Sequence, residues 1–127
     1  SIFINYAIAL AELYNNEGKC IFDIFVGFIN EGKESFPDAT PKFVRSINNC
    51  IKSMKMKYRI IAPFISLNKD EVIIEGLHLK VPLKNTFSCY ANSHKHCGVC
   101  LSCRIRQESF YWANILDETE YLKTFFI

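Results

Sequence analysis

Apolar residues in the first part of the chain recur with a helical period and then form a nearly continuous run. Residues 1–14 predict a helix, because positions three and four residues apart form one apolar stripe: Phe3, Tyr6, Leu10, Leu13 and Tyr14. Gly18 favours a stop after this helix, since glycine readily adopts the conformation that ends helices. Residues 20–27 are almost continuously apolar, which is typical of a short strand in a parallel sheet covered on both faces.

A second helix and a second strand follow a polar loop. Thr40 and Pro41 predict a helix start, because a capping hydroxyl precedes a proline in the first turn. The helical period continues through four apolar positions: Phe43, Ile47, Ile51 and Met54. Residues 58–62 then predict a strand, which Pro63 closes.

Two more helices are predicted towards the C terminus. Asn68 and Glu71 have the spacing of a capping box, and the helix that they open is expected to end near Leu79. A last helix is expected to begin at about Cys103. Strands separated by a helix need a crossover connection and therefore lie parallel, so this order of elements predicts an α/β fold.

Two strands make a poor sheet on their own. We therefore expect the chain either to be half of a larger α/β domain or to pair with another chain, for example as a homo-oligomer. The chain begins with Ser1 and not with Met, as expected for a piece of a longer protein.

Composition narrows the classes of function. Of the 127 residues, 50% are hydrophobic, and the formal net charge is only +2. A chain so close to neutral predicts no broad surface for nucleic acid or another polyanion. The sequence has no apolar stretch of bilayer-spanning length, and its N-terminal segment lacks the basic start and cleavage site of a signal peptide. Clustered cysteines fit a reducing compartment, so we expect a cytoplasmic protein without membrane partners.

Four of the six cysteines follow the spacing Cys-x7-Cys-x2-Cys-x2-Cys: Cys89, Cys97, Cys100 and Cys103. Four thiolates can enclose zinc tetrahedrally, and Gly98 lets the backbone turn between two of them. Because no coordination position stays open, we predict one structural zinc ion in a knuckle formed by residues 88–103. An iron–sulfur cluster is the alternative, although the ferredoxin run ends in Cys-Pro and Cys103 here precedes Arg104.

Two histidines of the cluster and the two remaining cysteines are not interpreted as metal ligands. His94 and His96 could each replace a zinc ligand, but four thiolates suffice, so we interpret both as solvated loop residues. Cys20 and Cys50 stand alone in apolar segments and are interpreted as buried thiols.

Several segments, in order and spacing, resemble one protein family. They are residues 36–43 (FPDATPKF), 60–72 (IIAPFISLNKDEV), 76–82 (GLHLKVP), 86–90 (TFSCY), 97–106 (CGVCLSCRIR) and 117–121 (DETEY). Together they closely resemble the C-terminal half of the 7-cyano-7-deazaguanine synthase family (QueC/ExsB) of queuosine biosynthesis, over nearly all of the chain.

The resemblance implies a Rossmann-like fold of the adenine-nucleotide hydrolase, or ATP-pyrophosphatase, kind, with zinc on the four cysteines. It also implies that residues 1–127 form the C-terminal half of this single domain. It implies small-molecule substrates and an ATP-dependent carbon–nitrogen ligase. The carboxylate of 7-carboxy-7-deazaguanine is activated with ATP and magnesium. Ammonia then captures the acyl group, and dehydration yields the nitrile.

Two residues are candidates for the reaction site. Lys69 is predicted in the first turn of a helix, where a cation is unfavourable unless an anion shares the site, and by resemblance it reaches the phosphates of ATP. Asp38 is expected at the carboxyl end of the first strand, where ligands of open α/β sheets bind, and could accept hydrogen bonds from a guanine-like ring. Both residues could also be ordinary solvated surface charges. Arg104 and Arg106 could support phosphate or cap the knuckle, but we interpret both as solvated charges.

Two departures from the family pattern leave alternatives open. The family's nucleotide-binding loop, Ser-Gly-Gly-x-Asp-Ser, does not occur in these 127 residues, so we expect the chain alone to be inactive. The segment 29–35 also differs from the family's Asn-Ala-x-Asp-Tyr-Ser-Gly pattern, which would suit a paralogue with a changed target. A third interpretation is a non-catalytic zinc-knuckle module that binds a protein or nucleic acid through the basic edge at residues 94–106.

Overall fold

A computed structural model of the chain describes residues 2–15, 22–30, 36–91 and 94–123. The chain divides into two compact units, Ser1–Leu67 and Asn68–Ile127, and each is described by itself. The prediction that both belong to a single larger domain stays a prediction. Among the described residues, no helix is both long enough and apolar enough to cross a membrane.

The first unit contains two helices and two strands: α1 (Ile2–Tyr14), β1 (Phe22–Phe25), α2 (Pro41–Ser53) and β2 (Tyr58–Ile61). Within the described residues, β1 and β2 form a two-stranded parallel sheet in which Phe22 is opposite Tyr58 and Phe25 is opposite Ile61. The predicted parallel pair joined by a helical crossover is therefore confirmed. The buried core of the unit joins α1, α2 and β2: Ile4, Ala11, Ile51, Tyr58 and Ile60.

Local signals explain where α2 begins and how it holds the sheet. The Thr40 hydroxyl accepts a hydrogen bond from the Phe43 N–H at 3.2 Å, so the predicted cap is confirmed. The Asn48 side chain accepts from the Ile60 N–H at 2.8 Å and donates to the Ile60 carbonyl at 2.9 Å. The Ile61 carbonyl accepts from the Val26 N–H, directly after β1, so Asn48 satisfies the opposite edge of β2, where the backbone would otherwise be unpaired.

The helix α1 forms as predicted but ends at Tyr14, and Gly18 lies outside the described residues. Its apolar stripe is exposed; Phe3, for example, is 90% exposed. The buried face of α1 instead carries Ile4 and Ala11, which are seven residues apart and therefore lie on one side of the helix.

The second unit contains α3 (Lys69–His78), a short 3-10 turn (Leu83–Asn85) and α4 (Leu101–Trp112). The Asn68 N–H donates to Glu71 Oε2 at 2.7 Å, which confirms the predicted capping box. The helix α4 begins at Leu101, two residues before the predicted start. The described residues of the knuckle lie between the 3-10 turn and the first turn of α4.

Candidate metal centre

The four predicted cysteines come together in the second unit. Their sulfur atoms all lie within 4.8 Å of one another, and they form the one such group of potential ligands in the described part of the chain: Cys89, Cys97, Cys100 and Cys103. The sulfurs of Cys97 and Cys103 are 4.0 Å apart. A tetrahedral ion with metal–sulfur bonds of about 2.3 Å places neighbouring sulfurs about 3.8 Å apart. The cluster therefore fits a single four-coordinate metal ion.

Backbone amides orient two of these sulfurs. The Cys97 N–H donates to Cys89 Sγ at 3.4 Å, and the Cys100 N–H donates to Cys97 Sγ at 3.2 Å. Hydrogen bonds to sulfur favour the thiolate over the thiol. A hydrogen bond from the backbone of Tyr90, followed by weaker contributions from the neighbouring cysteines, lowers the pKa of Cys100.

The pKa of Cys103 is shifted in the opposite direction. Its side chain is completely buried in the first turn of α4, and burial raises the pKa of this thiol to about 12. A coordinating metal cation deprotonates a thiol outright, so binding at Cys103 would release a proton.

Gly98 allows the turn between Cys97 and Cys100, as predicted. Its φ angle is +79°, a region that disfavours residues with a Cβ atom. The structure adds a second constraint, because a Cβ atom at this position would lie 1.5 Å from the Lys123 carbonyl oxygen. Glycine is required both by the turn and by the C-terminal segment that passes over it.

The interpretation of His96 as a solvated residue is wrong. Its side chain is only 5% exposed, and its ring lies 4.5 Å from the Phe87 ring and 5.5 Å from the Tyr121 ring. The His96 Nε2 atom accepts a hydrogen bond from the Ser88 N–H at 3.1 Å. Burial lowers the pKa of His96, which favours the neutral ring that this acceptor role needs. With Nε2 so engaged, His96 positions the knuckle, whereas His94 is exposed as predicted.

The interpretation of Arg106 as a solvated charge is also wrong, although Arg104 is exposed. The Arg106 side chain is 7% exposed and forms an ion pair with Asp117, whose side chain is 11% exposed. Further hydrogen bonds of the guanidinium group reach the Thr86 and Thr119 hydroxyls and the Leu83 carbonyl. Helical spacing could have identified this residue, because Arg106 lies three residues after Cys103 on the buried face of α4.

Asp117 joins this network from the C-terminal segment. It accepts hydrogen bonds from the Thr119 N–H and from the Tyr121 hydroxyl. Burial raises the pKa of Asp117, but these hydrogen bonds and the positive charge of Arg106 outweigh burial, and the pKa stays below its usual range. Burial raises the pKa of Tyr121, so its hydroxyl remains a hydrogen-bond donor at neutral pH. Asp117 and Tyr121 were not among the residues predicted from sequence to contribute to the site.

The two candidate reaction residues lie in different compact units. Lys69 is the first residue of α3 and is half-buried. Asp38 is exposed in a 3-10 turn, Pro37–Ala39. Their assigned roles stay predictions. The interpretation of Cys50 as buried is wrong, because Cys50 lies on the exposed side of α2 while its neighbour Ile51 faces the core; Cys20 lies outside the described residues.

Comparison with known proteins places these features in a family. The model of the family described as "Queuosine biosynthesis protein QueC" matches residues 1–114, which include all four cysteines. A curated relative named 7-cyano-7-deazaguanine synthase, from Campylobacter concisus (strain 13826), is 36% identical over 125 residues; the match covers 96% of this chain and 54% of that protein.

Other relatives with the same name give similar matches. The protein of Campylobacter fetus subsp. fetus (strain 82-40) is 37% identical, with coverage of 94% of this chain and 52% of the relative. The protein of Methanobrevibacter smithii is also 37% identical, with 94% and 51% coverage. The chain therefore spans about half the length of the curated relatives it matches. The family-model match and the identities of more than 30% over nearly the whole chain show that the protein belongs to the QueC family of queuosine biosynthesis proteins.

Proposed function

We propose that this chain is the zinc-containing portion of an ATP-dependent ligase that converts 7-carboxy-7-deazaguanine and ammonia to 7-cyano-7-deazaguanine. The observation that carries the proposal is the family membership over nearly the whole chain, because the relatives that share it are named 7-cyano-7-deazaguanine synthase. The four-cysteine cluster lies within the matched residues and has the geometry of a metal site.

Zinc is the ion that the cluster supports best. An iron–sulfur cluster inserts several iron atoms among its cysteine sulfurs and spreads them apart, whereas these four sulfurs all lie within 4.8 Å of one another. Four thiolates also leave no open coordination position, so the ion supplies folding energy and takes no part in the chemistry. Metal analysis of the purified protein should find one zinc per chain. A brown protein with stoichiometric iron and sulfide would contradict this assignment.

Lys69 is proposed to neutralise phosphate charge on ATP, with magnesium supplied by the solution. As the first residue of α3 it lies at the positive end of the helix dipole, where an added cation is unfavourable and an anion is favoured. Its half-buried position supports the proposal, because a lysine that serves only solubility is normally exposed.

The test uses the complete enzyme that contains this chain. Lys69→Met should lower the rate of nitrile formation by roughly 100-fold, the usual loss when one charge-stabilising group is removed, while metal content and circular dichroism stay unchanged. Lys42→Met is the matched control, because Lys42 is an exposed lysine in the first turn of α2. A near-normal rate for the Lys69 variant would remove this residue from the site. The 127-residue chain alone should form no nitrile.

Asp38 is proposed to bind the deazaguanine acid through the ring N–H groups. Its exposed position in the turn before α2 leaves the carboxylate accessible from solvent. In the complete enzyme, Asp38→Asn should weaken binding of the deazaguanine acid more than binding of ATP, measured by calorimetric titration of each. Equal losses for both ligands would contradict this role.

A non-catalytic module that binds nucleic acid receives little support from the knuckle surface. Two members of the supposed basic edge, His96 and Arg106, are buried, and Lys95 is paired with Glu120 at 3.0 Å. Salt-dependent binding to oligonucleotides would favour this alternative. A paralogue with a changed target rests on segment 29–35, of which residues 31–35 lie outside the described part of the chain. Turnover of a different acid in the same assay would favour it.

A further inference from the structure

The C-terminal segment formed by residues 117–123, here called the strap, lies directly against the knuckle. The Leu122 N–H donates to the His96 carbonyl at 2.9 Å, and Tyr121 and His96 form a parallel β-bridge. The Lys123 carbonyl lies so close to Gly98 that no side chain fits between them. The strap thus covers the turn that carries Cys97.

A buried ion pair anchors the other end of the strap. Asp117 accepts hydrogen bonds from two nitrogens of Arg106, at 3.3 and 3.4 Å, and Arg106 also donates to the Thr119 hydroxyl at 2.9 Å. The Tyr121 hydroxyl donates to Asp117. Because Arg106 lies on α4 one turn after Cys103, this anchor fixes the strap to the helix that carries a metal ligand.

His96 connects the strap to the two remaining parts of the knuckle. Its ring accepts from the Ser88 N–H, and Ser88 precedes Cys89 in the chain. Its backbone precedes Cys97 and accepts from the strap. A displacement of the strap therefore acts on residues that lie next to Cys89 and Cys97 in the chain, or one helical turn after Cys103.

We infer that the strap is part of the metal centre, and that Asp117 is a positioning residue which slows metal loss by holding the strap across the knuckle. This inference rests on the metal site of the proposed function. For a thiolate to leave the ion, the pieces that carry the cysteines must separate, and the strap joins the turn after His96 to α4. Partners that orient metal ligands are typically worth 10–100-fold in metal affinity.

The experiment measures zinc release from the purified chain to an excess of a chromophoric chelator. The variants are Asp117→Asn, Tyr121→Phe and a chain that ends at residue 116. Tyr121→Phe keeps the ring against His96 and removes only the hydroxyl bond to Asp117, so it tests the anchor if the other two variants fold poorly. Glu120→Gln is the matched control, because Glu120 lies on the strap but its ion pair with Lys95 is exposed.

We expect zinc release roughly tenfold faster or more from the chain ending at 116 and from Asp117→Asn, a smaller increase for Tyr121→Phe, and no change for Glu120→Gln. After replacement of zinc by Co²⁺, the visible absorption bands should shift in the chain ending at 116 and in Asp117→Asn, and not in the Glu120→Gln control. These bands report the geometry of the thiolates around the ion. A general loss of stability away from the site would leave those bands in place.

Equal release rates and identical Co²⁺ spectra in all variants would overturn the inference while leaving the metal assignment intact. A release rate that rises equally in Glu120→Gln would also overturn it, since the effect would then not depend on the buried anchor. Failure of the unaltered chain to bind stoichiometric metal would instead overturn the metal assignment, and this inference with it.

Discussion

Replacement of Arg106 by methionine should strongly destabilise the second unit. Methionine retains much of the aliphatic length of arginine but removes the guanidinium group, which pairs with Asp117 and donates to Thr86 and Thr119. The Asp117 carboxylate is then left 11% exposed without its counter-charge. Removal of one partner from a buried ion pair costs about 3–5 kcal/mol, because the other charge stays buried and uncompensated.

The assay is urea unfolding followed by circular dichroism and by the fluorescence of Trp112, which is the one tryptophan of the chain and lies on α4. With a denaturant slope of about 1–3 kcal/mol per molar urea, a loss of 3 kcal/mol moves the midpoint by about 1 M or more. Arg104→Met is the matched control, because Arg104 is exposed on the same helix and a surface change is expected to stay within about 0.5 kcal/mol.

The pH dependence tests the electrostatic origin of the loss. In the unaltered chain the pKa of Asp117 is lowered, so its stabilising effect is present above the unfolded pKa of about 3.9 and disappears as pH falls through the folded value. Without Arg106, Asp117 loses one of the interactions that lower its pKa, so that pKa rises relative to the unaltered chain. The difference in stability between the two chains should therefore be largest at neutral pH and shrink as acid protonates the carboxyl group. A pH-independent difference, or one below about 1 kcal/mol, would refute the reasoning.

Three further predictions concern the cluster and the sheet. Cys103→Ser should abolish stoichiometric metal binding in metal analysis, whereas Cys50→Ser, at an exposed cysteine on α2, should retain it. Removal of the metal by a chelator should speed amide hydrogen exchange throughout α4, because its first turn carries one of the ligands; unchanged exchange would argue against a structural ion. Asn48→Ala should lower the unfolding free energy by about 1–3 kcal/mol in urea titrations, because the Ile60 backbone loses both partners, while Asn49→Ala at an exposed neighbour should have little effect.

Several features of the fold and the site could be predicted from the sequence because they depend on residues close together in the chain. The cap of α2 needs only Thr40 and the amide three residues later. The capping box of α3 likewise spans Asn68 to Glu71. The spacing of the four cysteines sufficed to predict that their sulfurs converge, since the x2 gaps keep neighbouring thiols within reach of one ion.

The helices, the parallel strand pair, the four-cysteine cluster and the family resemblance could therefore be predicted from sequence. Which polar residues are buried depends instead on packing between parts of the chain that are distant in sequence. Arg104 and Arg106 are the same residue type two positions apart, and nothing local distinguishes them. The partners that bury Arg106 lie 11 and 20 residues away, at Asp117 and Thr86. The exposure of the apolar stripe of α1 could not be predicted for the same reason. A helical period shows which residues share a face, but only packing against distant elements decides which face is buried.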